Sequence, residues 1–155
     1  MAKLIEGDRI AAQAELMVGS SGLLFDDNRQ KILLTRRTDN GRWCLPGGRL
    51  DPGESVAEGC IREVWEETGL HVEIVRLIGI YTTPHRIITY ADGNRFHLIS
   101  FSFEVKVVGG MLGLSNETTE YGYFTPAEIE TMDVMEHHVE RIADALVDQA
   151  AAFVR

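Results

Sequence analysis

Cysteine is scarce in this chain, with only Cys44 and Cys60 among 155 residues. Two cysteines cannot build a disulfide framework, and no CxxC or Cys/His pattern offers a zinc site. No apolar run approaches the roughly 18 residues that a membrane-spanning helix needs. The start, MAKLIEGDRI, lacks the apolar core of a secretory leader, so a soluble cytoplasmic protein is the expectation. Basic residues are outnumbered, 15 Lys plus Arg against 24 Asp plus Glu, for a formal charge of −9. That balance argues against duplex nucleic acid or an anionic membrane as a partner, because both require a basic face. It leaves a phosphate substrate open, since an acidic site can recruit a divalent cation and hold phosphate through it. Repeats, low-complexity tracts and linkers are also missing, which points to one domain over residues 1–155. What remains is an ordinary globular composition, 45% apolar and 25% charged, in a chain long enough to bury a core.

Residues 1–13 read either as a short helix or as an extended arm, the latter able to build a homodimer. Ala14 to Phe25 reads as a strand, Asp26-Asp27-Asn28 as a turn, and Lys31 to Thr35 as a second strand. Asn40-Gly41 marks a turn and Leu45-Pro46-Gly47-Gly48 a loop. A helix is expected from about Ser55 to Thr68, stopped by Gly69. Strands follow near Val72 to Thr82 and Arg95 to Val108, the second opened by the turn Asp92-Gly93-Asn94, with Gly109-Gly110 turning back and Tyr121 to Phe124 a short strand. From Val134 to Phe153, the residues Met135, Val139, Ile142, Leu146, Ala150 and Phe153 recur at helical spacing, which predicts an amphipathic helix. The order of elements indicates an α+β fold, a mixed sheet between helices.

The helix after Gly48 carries the chemistry. At ~100° per residue, Glu63, Glu66 and Glu67 share an arc of about 100°, while Ala57, Ile61, Val64 and Trp65 occupy an apolar arc. Like charges at these spacings destabilise a helix by a few tenths of a kcal/mol per pair. Either they form a solvated face, partly offset by Arg62, or they hold a hard divalent cation. On its apolar arc Trp65 is expected to pack in the core. Cys44 and Cys60 read as buried apolar residues rather than nucleophiles, and His137-His138 as surface. The pair Arg36-Arg37, with Trp43, His85 and Arg86, are candidates for substrate contact. Their alternatives are an exposed basic pair, a core ring and a loop beside the site.

The full segment GRLDPGESVAEGCIREVWEETGL resembles the Nudix box at every fixed position, from Gly48 through Glu54, Arg62, Glu63, Glu66 and Glu67 to Gly69 and Leu70. At ordinary residue frequencies a chance match is on the order of 10⁻⁷ or less. The resemblance implies a Nudix-type α/β/α sandwich that hydrolyses a diphosphate bond in a nucleoside diphosphate linked to another group X, with Mg²⁺ as cofactor and Mn²⁺ able to substitute. It implies Glu63 and Glu67 as principal metal ligands, Glu66 as a further one, and the Gly47 carbonyl completing the shell. Glu63 is also a candidate base, and a loop carboxylate, Glu120 or Glu117, is a further catalytic candidate. Arg62 would orient Glu54 and the loop, while Gly48 and Gly69 are structural. Branch signatures are weak: Pro84 lies fourteen residues past Leu70, out of register with the proline of ADP-ribose hydrolases. ADP-ribose or a similar derivative is the first expectation for the substrate. A house-cleaning (d)NTP pyrophosphohydrolase and a non-catalytic nucleotide sensor are the alternatives.

Overall fold

Two long strands carry the architecture. In the computed structural model, which describes residues 2–147 and 149–155, the elements run in order as follows. Strand β1 (Lys3–Glu6) and a short 3₁₀ turn (Ile10–Gln13) lead into β2 (Glu15–Leu24), β3 (Ile32–Arg37), β4 (Trp43–Cys44) and β5 (Gly47–Arg49). Helix α1 (Val56–Thr68) comes next, then β6 (Leu70–Tyr81), β7 (Arg86–Thr89), β8 (Arg95–Gly110) and β9 (Thr118–Phe124). Helices α2 (Pro126–Ile129) and α3 (Glu136–Ala145) precede a final strand, β10 (Phe153–Val154).

Strand β8 pairs in parallel with β2 from Glu15↔Phe96 to Leu24↔Val105. On its other edge it pairs antiparallel with β7 and then with β6. Strand β5 joins the far edge of β2, with Ser21 opposite Gly47 and Ser20 opposite Gly48. A smaller sheet, β4-β3-β9, stands beside this mixed sheet. Residues 2–13 start extended, where β1 pairs with β7 through Lys3↔Thr89 to Glu6↔Arg86, and end in the 3₁₀ turn.

Alternation along the strands builds two cores on opposite sides. Leu23, Ile32, Leu34 and Ile78 pack with Ile142 and Ala145 of α3. Their sequence neighbours Leu24 and Leu33 pack with Cys60 and Val64 of α1, together with Phe103 and Val105. Successive strand residues point to opposite faces, so β2 and β3 supply both layers at once. The outcome is the expected mixed sheet with helices on both sides. Both cysteines are buried and unpaired with each other. Among the described residues, no helix is long and apolar enough to cross a membrane.

Several expectations need correction. The last helix ends at Ala145 rather than Phe153, and the chain returns as β10, parallel to β6 with Phe153 opposite Gly79. Arg76 donates to the Ala145 carbonyl at 3.0 Å, and Asp144 accepts two hydrogen bonds from Arg155, each 2.8 Å. These contacts satisfy the helix end and tie the terminal strand down. Asp148, inside the expected helix, lies outside the described residues. His137 and His138 are buried rather than on the surface, and Leu146 and Val139, expected on the apolar stripe, are nearly half exposed. Trp65, expected in the core, is 49% exposed and stacks on His71, with centroids 6.2 Å apart. It lies at the far edge of the apolar arc, where the sheet no longer covers the helix. Arg86 opens a strand instead of lying in a loop, and the expected loop at Leu45–Gly48 runs into β5, which begins at Gly47.

Candidate active site

Helix α1 is placed by its ends. The Ser55 hydroxyl accepts from the Glu58 N–H at 3.2 Å, and the Glu58 carboxylate accepts from the Ser55 N–H at 2.8 Å. This reciprocal cap satisfies two of the four free donors at the helix start. At the other end Gly69 adopts φ 76°, a left-handed turn that glycine enters without a Cβ penalty. Between these stops, the carboxylate arc faces the glycine pair of β5.

The three carboxylates are not equivalent. Glu67 is 6% exposed, and its Oε2 accepts a hydrogen bond from the Gly47 N–H at 3.1 Å. Burial pushes its carboxyl up to about 8, the Gly47 N–H opposes that rise, and the charge of Glu63 adds to it. Glu63 is half-buried, and burial also raises its pKa against the pull of Arg62. Glu66 lies more open, with a side chain 48% exposed. Glycine is required next to Glu63: a Cβ on Gly48 would stand 2.6 Å from its carboxylate carbon and from both oxygens. On Gly47 a Cβ would meet the Ser20 carbonyl oxygen and Ser21. Gly48 thus comes closer to the Glu63 carboxylate than any other residue would allow, while Gly47 packs against the backbone of β2.

Arg62 organises the cluster. Its Nε and Nη2 donate to the two oxygens of Glu54 at 2.6 and 3.0 Å, and Nη2 also donates to the Arg49 carbonyl at 3.1 Å. Its Nη1 donates to Glu63 at 2.8 Å and to Glu66 at 3.1 Å. The paired guanidinium holds Glu54 down to about 2, and the Asp51 N–H helps. One cation therefore fixes the loop ahead of the helix and two of its carboxylates. Among the described residues, Glu67 receives no such partner, only the backbone donor.

Other candidate residues fall at different distances from this centre. Glu117 lies close enough for its charge to raise the pKa of both Glu63 and Glu67. Glu120 is directed elsewhere, accepting from Arg36 Nη1 at 2.8 Å across the β3–β9 pair. Trp43 packs edge-on against Phe124, with centroids 5.0 Å apart. His85 accepts from the Arg9 N–H at 2.9 Å, and Arg86 is paired with Glu6 and Glu140. These contacts keep Arg36, Trp43, His85 and Arg86 engaged with protein partners.

The sequence reading passed over a basic wall beside the glycine pair. A cavity of about 110 Å³ is lined by Gly47 and Gly48 and also by Arg37, His137, His138 and Arg141. Arg37 pairs with Asp39 at 2.8 Å and lies near enough to Glu67 for each to feel the other's charge. The only signal for this wall in the sequence is the doublet Arg36-Arg37; the histidines read as surface, and nothing singles out Arg141.

A divalent cation suits the donor set. Among the described residues, no three His, Cys, Asp or Glu side chains converge into a ready-made cage. Mg²⁺ does not usually need one, because it keeps several waters and binds through one or two carboxylates plus substrate phosphate. The half-buried Glu63 and the buried Glu67, two hard oxygen ligands, fit that mode, and an added cation would relieve the rise that burial gives their pKa values.

Comparison with known proteins gives a consistent picture. The family model for the NUDIX domain matches residues 16–145. A MutT-like protein of Streptomyces ambofaciens is 38% identical over 125 residues, covering 81% of this chain and 73% of the relative. An ADP-ribose pyrophosphatase of Methanocaldococcus jannaschii is 38% identical over 110 residues, covering 69% of this chain and 60% of that relative. A crystallised NUDIX hydrolase from Nitrosomonas europaea superposes with a TM-score of 0.73 at 22% identity, covering 91% of this chain and 79% of the other.

Proposed function

The chain belongs to the Nudix hydrolase family, whose members act on pyrophosphate bonds, and on that premise we propose that it cleaves a nucleoside diphosphate linked to X, with ADP-ribose or a close derivative as substrate. One observation carries the reading: the half-buried Glu63 fills the space a Cβ on Gly48 would take, and beside it the buried Glu67 accepts from the Gly47 N–H. Burying two like charges costs free energy with no gain in packing, so the arrangement makes sense as a cation site. The M. jannaschii relative, named an ADP-ribose pyrophosphatase, supports the choice of substrate.

Glu63 and Glu67 would hold Mg²⁺ or Mn²⁺, with Glu66 and the Gly47 carbonyl as further donors. The metal would neutralise phosphate oxygens and lower the pKa of a bound water. The protein's own groups do the rest. Arg62 holds Glu63 and Glu66 in place through fixed bonds to Glu54. Glu63 is also the candidate to take the proton of the attacking water on a carboxylate oxygen, and Glu117, whose charge reaches it, would be the assisting loop carboxylate. Arg37 adds positive charge where the substrate's phosphates would approach. A cytoplasmic location accords with this reading.

The test is a hydrolysis screen with Mg²⁺ and then Mn²⁺, covering ADP-ribose, nucleotide sugars, diadenosine polyphosphates and normal and 8-oxo (d)NTPs, with products identified. Metal-dependent release of AMP from ADP-ribose is expected. Turnover of (d)NTPs alone would replace the substrate. Nucleotide binding without any turnover would make the chain a sensor.

A further inference from the structure

Arg141 is the least explained charge in the molecule. It is 3% exposed, on the buried side of α3. Among the described residues, each half-buried arginine reaches a carboxylate: Arg37 reaches Asp39, Arg42 Glu136, Arg62 Glu54, Arg76 Glu104 and Arg86 Glu6. Arg141 has no such contact. Its Nη1 donates to the Ser21 hydroxyl at 3.3 Å, and its guanidinium carbon lies 5.4 Å from the Tyr81 ring centroid. The charge of Glu140 reaches Arg141, but the Glu140 carboxylate pairs with Arg86 at 3.4 Å, and that of Asp144 is taken by Tyr81 and Arg155. Burial lowers its pKa only to about 10, so it remains a cation at neutral pH.

Among the described residues, three buried side-chain polar atoms have no hydrogen-bond partner: Ser20 Oγ, His137 Nδ1 and Arg141 Nε. All three belong to residues lining the same cavity of about 110 Å³. Unsatisfied buried polar atoms are rare, and these three cluster around a cavity whose His137 and Arg141 also line a smaller one of about 30 Å³ beside Tyr81 and Arg86. A single water needs roughly 10–15 Å³ of such space, so the cavity has room for a polyatomic group. His138 adds to the wall, since its Nδ1 accepts from the Leu45 N–H at 3.3 Å and leaves the proton on Nε2 as a donor. Burial and the surrounding arginines hold both histidines well below their ordinary pKa, so they line the wall as neutral imidazoles.

We propose that this cavity is an anion subsite that takes one phosphoryl group of the substrate, with the Arg141 guanidinium as its cation and Ser20, His137 and His138 as polar partners. The inference rests on the diphosphate reading and extends it. Gly47 and Gly48 line the cavity and also touch Glu67 and Glu63. A diphosphate can therefore straddle the glycine pair, one phosphoryl group at the carboxylates and its neighbour at Arg141. Arg141 is a binding residue in this arrangement, on the side away from the proposed metal.

Inorganic phosphate in the presence of a chelator isolates the subsite from metal and from turnover. Phosphate should raise the melting temperature of the wild type and shift the imidazole carbon resonances of His137 and His138, assigned with single His→Gln variants. Arg141→Gln should weaken phosphate at least tenfold, and Arg141→Lys should recover part of the loss. Glu67→Gln should bind phosphate as well as the wild type does. If Arg141→Gln does not fold, the His137 and His138 shifts in the wild type still decide. Phosphate affinity unchanged in a folded Arg141→Gln, or no shift at either histidine, would overturn the subsite. Phosphate bound at Arg141 with no diphosphate hydrolysed under any divalent metal would sink the enzymatic reading and leave the subsite standing. Hydrolysis without the histidine shifts would do the reverse.

Discussion

Gly48→Ala separates the geometry of the site from the stability of the fold. Gly48 is not among the residues with positive φ, so alanine faces no backbone penalty there. The obstacle is the Glu63 carboxylate, 2.6 Å from the added Cβ where ordinary contact begins at 3.4 Å. The carboxylate must retreat by at least 3.4 − 2.6 = 0.8 Å. It is the far end of a flexible side chain, so the fold yields easily. Retreat disturbs the 2.8 Å bond from Arg62 Nη1, a contact worth about 0.2–1 kcal/mol when partly solvated. The melting temperature should therefore fall by no more than about 4 °C. Catalysis has less tolerance: a misplacement of about 1 Å costs on the order of 10²-fold in rate. Steady-state kinetics on the substrate found in the screen, beside thermal melts, should show kcat down by roughly that factor in a folded protein. Gly47→Ala is the contrast, because its Cβ would meet strand backbone at Ser20 and Ser21, and it should lose stability by about 1–3 kcal/mol. A Gly48→Ala enzyme within threefold of wild-type kcat would refute the assigned place of Glu63. A severe loss of stability would show that the glycine serves the fold instead.

Burial raises the Glu67 carboxyl from 4.5 to about 8, so the folded state holds a proton that the unfolded chain gives up. Stability from this group is full below about pH 4.5 and is lost as pH rises toward 8. In chelator, the melting temperature of the wild type relative to Glu67→Gln should fall from pH 5 to pH 8, and millimolar Mg²⁺ should remove the trend; a flat difference contradicts the shift. Glu117→Gln should lower kcat more than Glu120→Gln, since Glu117 adds its charge to Glu63 and Glu67 while Glu120 is committed to Arg36; the opposite order would exchange their roles. Gly69→Ala combines a φ of 76° with a clash at the Met111 carbonyl, and should cost more than about 1 kcal/mol in chemical denaturation.

The sequence was readable where the cause of structure is local. Ser55 and Gly69 bound α1 because capping and left-handed turns are properties of a few adjacent residues. The common face of Glu63 and Glu67 follows from helix periodicity alone. The long strands and their turns were legible for the same reason. The site's second wall was not, because it depends on what covers α3. Spacing favoured Met135, Val139, Ile142 and Leu146 as the buried stripe. Met135 and Ile142 are buried as expected, but His137, His138, Arg141 and Ala145 are covered in place of Val139 and Leu146, which brings basic groups onto a cavity. The choice between Glu117 and Glu120 was hidden too. It rests on the register of β9 against β3, which sets Glu120 opposite Arg36 just before an irregularity at Arg36/Arg37. Trp65 shows the same limit at smaller scale, because an arc on a helical wheel does not say where the neighbouring sheet ends.

The most direct measurement is kcat of Glu67→Gln at saturating Mg²⁺, on the diphosphate substrate that the wild type turns over. The substitution removes a charge and keeps the size of a buried side chain whose one bond is to the Gly47 N–H. A folded variant with turnover reduced by roughly 10²-fold or more is predicted, the scale set by losing a group that acts on transition-state charge. Near wild-type turnover would contradict the claim that this buried carboxylate holds the catalytic cation.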